Sequence, residues 1–253
     1  MEIKEFGVNN KKKLLFLHGA VTKAQWYLPS IEKLSQKWHI YVPIYQGYEH
    51  PFEDSFQSVE NTADEIVEFC KEKGIDEFDT VYGLSMGGVI ALLLYSYDRI
   101  PMENLILDGS TKPYEYPKII TQIVVQLFCL SIDLMRKSKS VIQFFFPPER
   151  WGLSDENGIY DEIHQFFNQM TRKTIRNSFE TCLNYKFPEK LPKNDTKFHY
   201  LYGEKEGGGK DNAQFFQRIY PSLIQKVIPD CEHGELCMMK PEEFYSVICE
   251  IVG

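Results

Sequence analysis

The sequence predicts an α/β fold in which a mostly parallel central sheet is flanked by helices and interrupted by a helical insertion. Short apolar runs alternate with segments of helical periodicity from residue 13 to residue 107 and again after residue 197. Between residues 113 and 188 no strand-like run is found. We therefore predict a core formed by residues 1–112 and 189–253, with a helical cap, or lid, at residues 113–188.

The first half of the chain contains four predicted strands, each a short apolar run typical of a strand buried on both faces. They cover residues 13–17, 39–43, 79–83 and 104–107. The predicted helices between them cover residues 25–37, 59–73 and 88–97. Pro43 is expected to stop the second strand, and Gly74 is expected to end the second helix.

The alternation resumes in the last quarter of the chain, with strands at residues 197–202 and 223–228. A helix is predicted at residues 212–220, and a last helix begins at Pro241, a residue type favoured at the first helical position. The insertion shows two helical patterns, at residues 119–135 and 159–170, separated by an apolar turn at residues 144–148. An insertion at this place would cover the carboxyl ends of the strands, where α/β sheets bind ligands.

The segment at residues 119–135 is apolar almost all round, so a membrane span has to be considered. It is shorter than the roughly 20 residues that cross a bilayer, and it carries Gln122, Gln126 and Asp133. We interpret it as a buried or interfacial helix and expect no stable membrane insertion.

The composition narrows the range of functions. Hydrophobic residues make up 43% of the 253 residues, charged residues make up 25%, and the net charge is −8. So acidic a chain, without a long basic run, is a poor nucleic-acid binder. Its six cysteines form no C-x-x-C pair, and no secretory signal follows the first residues. We expect a cytoplasmic protein without a metal or organic cofactor, and the sequence leaves the oligomeric state open.

The strongest chemical signal is the G-x-S-x-G sequence at residues 83–87, which centres on Ser85. A buried strand precedes it and an apolar helix follows it, the context in which this motif presents a nucleophilic serine. Glycines on both sides allow close backbone approach at a sharp turn. The start of the following helix directs free N–H groups towards developing negative charge.

A serine hydroxyl needs a base, and His233 is the best placed of the six histidines. It lies in the loop after the last predicted strand and before the last helix, so it can reach Ser85. The other histidines, apart from His18, lie at strand edges, in loops or in helices with no comparable surroundings; they are His39, His50, His164 and His199.

His18-Gly19 after the first buried strand, G-x-S-x-G and a late histidine together resemble the α/β-hydrolase superfamily, and within it the smaller, lidded, esterase-like serine hydrolases. The resemblance covers essentially the whole chain. It implies an oxyanion hole formed by the backbone N–H groups of Ala20 and Met86. It also implies that His18 is structural.

The resemblance places the acid of a catalytic triad in the loop after the penultimate strand, commonly three residues beyond a glycine. Glu206 occupies that position after Gly203, with glutamate where aspartate is commoner, and a run of three glycines follows it. Two alternatives stay open. Asp108 ends an earlier strand that supplies the acid in some members of the family, and Asp211 could reach His233 if the glycine run folds back.

The insertion is rich in large apolar residues, most of which we expect to pack in the core while some line an acyl or aromatic pocket. They include Phe128, Phe144, Phe145, Phe146, Trp151, Phe166 and Phe167. Trp26 and Tyr27, soon after the His-Gly turn, are further candidates for the pocket.

These residues lead to a predicted carboxylesterase-like serine hydrolase. It would cleave a small or medium apolar ester or thioester through an acyl-enzyme on Ser85, with His233 as base and Glu206 as acid. The same fold can instead catalyse C–C hydrolysis, perhydrolysis or a lyase step. A non-catalytic sensor of a small ligand is a third possibility, since the three glycines could hold the triad poorly.

Overall fold

A computed structural model of the protein describes residues 1–49, 52, 54–114, 117–148, 158–187, 192 and 194–253. Within these residues, seven strands form one sheet in the order β1-β3-β2-β4-β5-β6-β7. The first strand pairs antiparallel with its neighbour and all the other pairs are parallel. The strands are β1 (Glu2–Phe6), β2 (Lys12–Leu17), β3 (Trp38–Ile44), β4 (Phe78–Leu84), β5 (Met102–Asp108), β6 (Lys197–Gly203) and β7 (Ile224–Ile228).

Helices cover both faces of this sheet. They are α1 (Leu28–Leu34), α2 (Val59–Lys73), α3 (Met86–Ser96), α4 (Lys118–Met135), α5 (Lys139–Phe145), α6 (Ile159–Gln169), α7 (Arg172–Asn184), α8 (Gly209–Ile219), α9 (Glu235–Met239) and α10 (Pro241–Val252). One core cluster joins the sheet to α2, α3 and α8, and the other joins it to α1 and α10. Every residue of α3 is buried, as its continuous apolar sequence predicts.

The predicted mostly parallel sheet flanked by helices is confirmed, and the described residues between β5 and β6 form four helices, α4 to α7. Two of these helices lie in the 119–135 and 159–170 patterns. The prediction of an apolar turn at residues 144–148 is partly wrong, because α5 extends to Phe145. Trp151 and the predicted cap boundary at residues 188/189 lie outside the described residues.

Some local predictions differ from the structure. Pro43 lies inside β3 instead of ending it. The pairing of β3 with β2 ends at Tyr41, so the missing N–H of Pro43 removes no hydrogen bond between these two strands. The predicted helix at 25–37 is a 3₁₀ turn, Ala24–Tyr27, followed by the short α1. Gly74 does end α2, with a left-handed φ of 65°.

The aromatic residues of the insertion divide between core and surface. Phe166 and Phe167 are buried as predicted, with exposures of 0% and 3%. Phe144 is 80% exposed, and Phe128 and Phe145 are about half exposed, so the expectation that most of these residues pack in the core fails for them.

Candidate active site

The carboxyl ends of the parallel strands meet at one edge of the sheet, and each predicted site residue follows one of these ends. Ala20 follows β2, Ser85 follows β4, Glu206 follows β6 and His233 follows β7. Asp108 is the last residue of β5. The topology therefore gathers groups that are more than 200 residues apart in sequence.

Ser85 occupies a strained turn between β4 and α3, with φ 52° and ψ −114°. A positive φ is rare for a residue with a Cβ and costs on the order of 1–3 kcal/mol. The turn is held from β5, because the Ser85 N–H donates to the Asp108 carbonyl at 2.8 Å. The Ser85 carbonyl accepts a hydrogen bond from the Ser110 hydroxyl at 2.9 Å. Ser85 is partly exposed, whereas residues 81–84 and 86–90 are buried.

The flanking glycines are required by close backbone contacts. A Cβ on Gly83 would overlap the Gly87 carbonyl, and a Cβ on Gly87 would overlap the carbonyl of Leu17 at the end of β2. The motif therefore packs the start of α3 directly against two strand ends. Any side chain at either glycine would displace the turn that carries Ser85.

His233 and Glu206 form a hydrogen-bonded pair, with Nδ1 of the histidine 2.9 Å from Oε1 of the carboxylate. The Glu206 side chain is only 6% exposed. The other carboxylate oxygen of Glu206, Oε2, accepts a hydrogen bond from the Gly203 N–H at 3.4 Å. The backbone N–H of Glu206 donates to the Gly203 carbonyl at 3.0 Å. A tight turn thus fixes the carboxylate on both sides.

His233 is oriented by its neighbours as well as by Glu206. An added Cβ on Gly109, which follows Asp108 in the chain, would lie 2.7 Å from the His233 ring. An added Cβ on Gly234 would lie 3.2 Å from the side chain of Leu84, the residue before Ser85. With Nδ1 directed at Glu206, the other ring nitrogen, Nε2, has no hydrogen-bond partner among the described residues. It is the nitrogen available to act as a base.

Burial opposes the charged form of His233, but the hydrogen bond and charge of Glu206, with a smaller contribution from Asp108, leave its pKa above the usual 6.5. The neighbouring carboxylates therefore increase the basicity of the imidazole. The same carboxylates stabilise the imidazolium that would form when His233 accepts a proton.

The two alternative acids have other positions. Asp108 is buried, and its Oδ2 accepts a hydrogen bond from the Tyr82 hydroxyl at 2.6 Å. Burial raises the pKa of Asp108 to about 6, against the opposing effect of that hydrogen bond. Asp211 is exposed in the first turn of α8. Of the three acids, Glu206 makes the direct contact with His233.

The His-Gly turn lies over the nucleophile, because an added Cβ on Gly19 would be 3.7 Å from the Cβ of Ser85. The next residue is Ala20. Neither the Ala20 N–H nor the Met86 N–H has an acceptor among the described residues. Both donors therefore remain available to an oxyanion formed on a substrate attached to Ser85.

His18 is 1% exposed and lies stacked on Tyr45, with ring centroids 4.1 Å apart. Its Nδ1 is 3.1 Å from the Gly19 carbonyl. Burial lowers the pKa of His18 to about 4, so the ring is neutral at physiological pH. These contacts agree with a structural role in holding the turn.

Tyr48 also holds this turn, a role that the sequence does not predict. Its hydroxyl accepts the Val21 N–H at 3.2 Å and lies 2.6 Å from the Ser178 hydroxyl of α7. It also lies 3.7 Å from the sulfur of Met86. One hydroxyl thus links both candidate oxyanion segments to the insertion. A tyrosine in a loop after β3 carries no sequence pattern that would predict this.

Trp26 and Tyr27 have different environments. Tyr27 is completely buried and donates to the Thr22 hydroxyl at 3.0 Å, so it belongs to the core rather than to a pocket. Trp26 is partly exposed, and its Nε1 donates to Glu162 of α6 at 2.9 Å. Its ring packs edge-on against Phe166, with centroids 5.2 Å apart. Trp26 therefore joins the loop after β2 to the insertion.

Residues 12–128 match the family described as alpha/beta hydrolase fold. The matched segment contains the His-Gly turn and the whole serine turn. The chain therefore has the α/β-hydrolase fold.

Solved structures resemble the chain over nearly its full length. A putative alpha/beta hydrolase family protein from Desulfitobacterium hafniense has a TM-score of 0.78 and 22% identity, with 100% of each chain covered. An esterase from Exiguobacterium antarcticum has a TM-score of 0.74 and 18% identity, covering 99% of this chain and 94% of the other. A bromoperoxidase from Bacillus anthracis has a TM-score of 0.75 and 12% identity, with the same coverage. No curated protein matches this chain significantly in sequence.

Substituting Gly109→Ala in this α/β-hydrolase fold is expected to lower activity on the order of 100-fold, since a 1 Å misplacement of a catalytic group can cost that much. The added methyl would lie 2.7 Å from the His233 ring and 2.9 Å from Oε1 of Glu206. The steady-state rate of ester hydrolysis measures the effect.

Gly74→Ala is the matched control, because Gly74 has a similar positive φ and open space around it. Both variants should lose about 1–2 kcal/mol of unfolding free energy from backbone strain. Only Gly109→Ala should lose activity; equal activity in the two variants would contradict the proposed placement of His233.

Proposed function

We propose that the protein is a serine hydrolase that cleaves small or medium apolar carboxylic esters or thioesters through an acyl-enzyme on Ser85. The observation that carries the proposal is the combination of a strained, partly exposed Ser85 with the 2.9 Å His233–Glu206 pair at the same edge of the sheet. Strain of this kind at a nucleophile is characteristic of the serine turn in this fold.

In the first step, Oγ of Ser85 attacks the ester carbonyl carbon while its proton passes to Nε2 of His233. The carbonyl oxygen becomes an oxyanion, which accepts hydrogen bonds from the Ala20 and Met86 N–H groups. The removal of one such donor typically costs on the order of 100- to 1,000-fold in rate. Glu206 holds Nδ1–H and stabilises the imidazolium without taking its proton.

In the second step, His233 returns the proton to the departing alcohol or thiol, and the ester bond to Ser85 remains. Water then gives a proton to Nε2 as its oxygen attacks the acyl carbon. Collapse of this second oxyanion releases the carboxylic acid, and His233 returns the proton to Oγ of Ser85.

Helices α4 to α7 act in this proposal as a lid over the site, which corresponds to the predicted cap at residues 113–188. The contacts of Trp26 with Glu162 and of Tyr48 with Ser178 support this role. Tyr48 joins the candidate oxyanion segments to the insertion, and Trp26 joins the loop after β2 to it. Closure of such a lid would exclude water from the site.

The alternative of a non-catalytic sensor depends on the three glycines after Glu206 holding the triad poorly. Gly208 is the N-cap of α8 and Gly209 is its first residue, so two of these glycines begin a helix. The Glu206 carboxylate is fixed by Gly203 and His233 instead. The arrangement therefore favours a catalytic protein over a sensor.

A cytoplasmic location is part of the proposal. All six cysteines are free thiols, which suits a reducing compartment.

The function is tested with a panel of p-nitrophenyl and thioester substrates of increasing acyl length, together with C–C bond and peracid assays. We expect turnover of the short esters, with a transient acyl adduct on Ser85 that mass spectrometry detects after rapid acid quenching. Turnover only in the peracid assay or only in the C–C bond assay would show that the protein catalyses that reaction instead.

The pH dependence follows from the raised pKa of His233. The base must be neutral, so kcat/KM should fall as pH decreases through an apparent pKa above 6.5. Glu206→Gln removes the hydrogen bond to a charged acceptor, and the midpoint should then move to lower pH. The measurement is kcat/KM from pH 5 to 9 for both proteins; an unchanged midpoint would contradict the role of Glu206.

A further inference from the structure

Helix α4 exposes an apolar face, which we call the outer α4 face. It consists of Ile119, Ile120, Ile123, Leu127, Leu130 and Leu134, with exposures between 39% and 67%. Five of them follow each other at intervals of three or four residues, so they form one stripe along the helix. Phe144, which is 80% exposed, and Phe145 lie on α5, which packs against α4. Contiguous apolar surface of this extent indicates an interaction site.

The opposite stripe of α4 is buried and fixes the helix to the rest of the protein. Its residues are Thr121, Val125, Cys129, Ile132 and Met135. Although the 18-residue helix has a mean hydropathy of 1.6, sufficient for a membrane span, crossing a bilayer would remove this stripe from its packing. The helix can instead lie parallel to a surface with only its outer face in contact. Of the two interpretations given for this segment, buried or interfacial, the interfacial one fits the structure better, since only 28% of α4 is buried.

Positive charge flanks the outer α4 face. Lys118 and Lys137, at either end of the helix, are exposed and have no ion-pair partner in the described part of the chain. Residues 118–146 carry four basic residues and one acidic residue, whereas the whole chain has a net charge of −8. The single acid, Asp133, is paired with Arg136 and Arg172. Lys139 is paired with Asp161 of α6. Lys118 and Lys137 at the two ends of the stripe therefore remain as positive charges without an ion-pair partner among the described residues, opposite in sign to the net charge of the chain.

We propose that the outer α4 face binds reversibly to an anionic lipid surface. An apolar stripe between exposed lysines matches acyl chains that lie beneath negatively charged headgroups. A second copy of the chain fits less well, because a twofold contact on this face would oppose lysine with lysine. The proposal concerns a binding surface and does not depend on the proposed hydrolysis.

The test is cosedimentation with vesicles of phosphatidylcholine mixed with phosphatidylglycerol, compared with vesicles of phosphatidylcholine alone. The wild-type protein should bind the anionic vesicles, bind the neutral ones more weakly, and lose affinity with added salt. Replacing both lysines, Lys118→Gln with Lys137→Gln, should weaken binding by roughly 30-fold, from about fivefold for each charge removed near the surface. The double variant Ile123→Gln with Leu127→Gln should weaken it by about tenfold or more.

The matched control is Ile224→Gln with Val227→Gln, since these β7 residues are 55% and 46% exposed but lie outside the outer α4 face. The control should bind vesicles as the wild type does. Light scattering of each variant measures the oligomeric state. The proposal is overturned if the wild type does not bind anionic vesicles or if the β7 control loses as much affinity. It is also overturned if the protein forms a dimer that Ile123→Gln with Leu127→Gln dissociates while vesicle binding is absent.

Discussion

Replacing Ser85 by alanine is expected to lower kcat for short p-nitrophenyl esters by roughly 10⁶-fold, the loss found when the nucleophile of a serine triad is removed. The loss follows from the proposed role of Oγ, which forms the covalent bond to the acyl group. Residual turnover would come from the oxyanion donors and from His233 acting on water. Steady-state kinetics with a spectrophotometric assay measures the loss.

The fold should survive this substitution, because the backbone bonds of Ser85 to Asp108, Gly88 and Val89 do not involve its side chain. Ser246→Ala is a matched control, since Ser246 is an exposed residue of α10 whose hydroxyl donates to the Glu242 carbonyl. This variant should keep wild-type kcat. Wild-type kcat in Ser85→Ala would refute the assignment of the nucleophile.

Substituting Glu206→Gln is expected to lower kcat by roughly 10³- to 10⁴-fold, as the loss of the acid does in comparable triads. Glutamine has nearly the same shape, so the turn with Gly203 can persist. It cannot stabilise the imidazolium by charge, and its amide can present a donor to Nδ1. The loss should appear mainly in kcat, with KM changed little, because the charge on His233 develops only during reaction.

The variant Asp108→Asn distinguishes the contribution of Asp108 to kcat from that of Glu206, the other carboxylate near His233. Asp108 receives its hydrogen bond from Tyr82, and the pKa of about 6 that burial gives it keeps part of it neutral near neutral pH. We expect at most about a tenfold loss of kcat, since its effect on His233 acts through space and not through a hydrogen bond. A larger loss in Asp108→Asn than in Glu206→Gln would transfer the acid's role to Asp108.

The parallel sheet could be predicted because its strands are buried on both faces and therefore appear as continuous apolar runs. β1 was not predicted, since it is a half-exposed edge strand with alternating charged residues. Helices α7 and α9 were also missed. Arg172–Asn184 is polar over most of its surface, and Glu235–Met239 is a single short turn after His233. Their positions depend on tertiary packing, which local patterns do not encode.

The residues of the candidate site also divide into those that the sequence predicts and those that it does not. Ser85 and His233 could be predicted from a motif and from their place after strands, because parallel topology brings strand ends together. The sequence favours Glu206 as the acid but leaves Asp108 and Asp211 open, because the contact of Glu206 with His233 depends on the fold of the loop after β6. Tyr48 and Tyr82 could not be predicted, because their hydroxyls act through contacts more than 20 residues away in the chain.

The most direct test of Ser85 as the nucleophile is labelling by a fluorophosphonate, which reacts preferentially with an activated serine. We predict a single adduct, located on Ser85 by peptide mass spectrometry, with labelling slowed strongly in His233→Ala and in Glu206→Gln. An adduct on another residue, no adduct in the wild type, or equal labelling rates in the wild type and His233→Ala would contradict the activation of Ser85 by the His233–Glu206 pair.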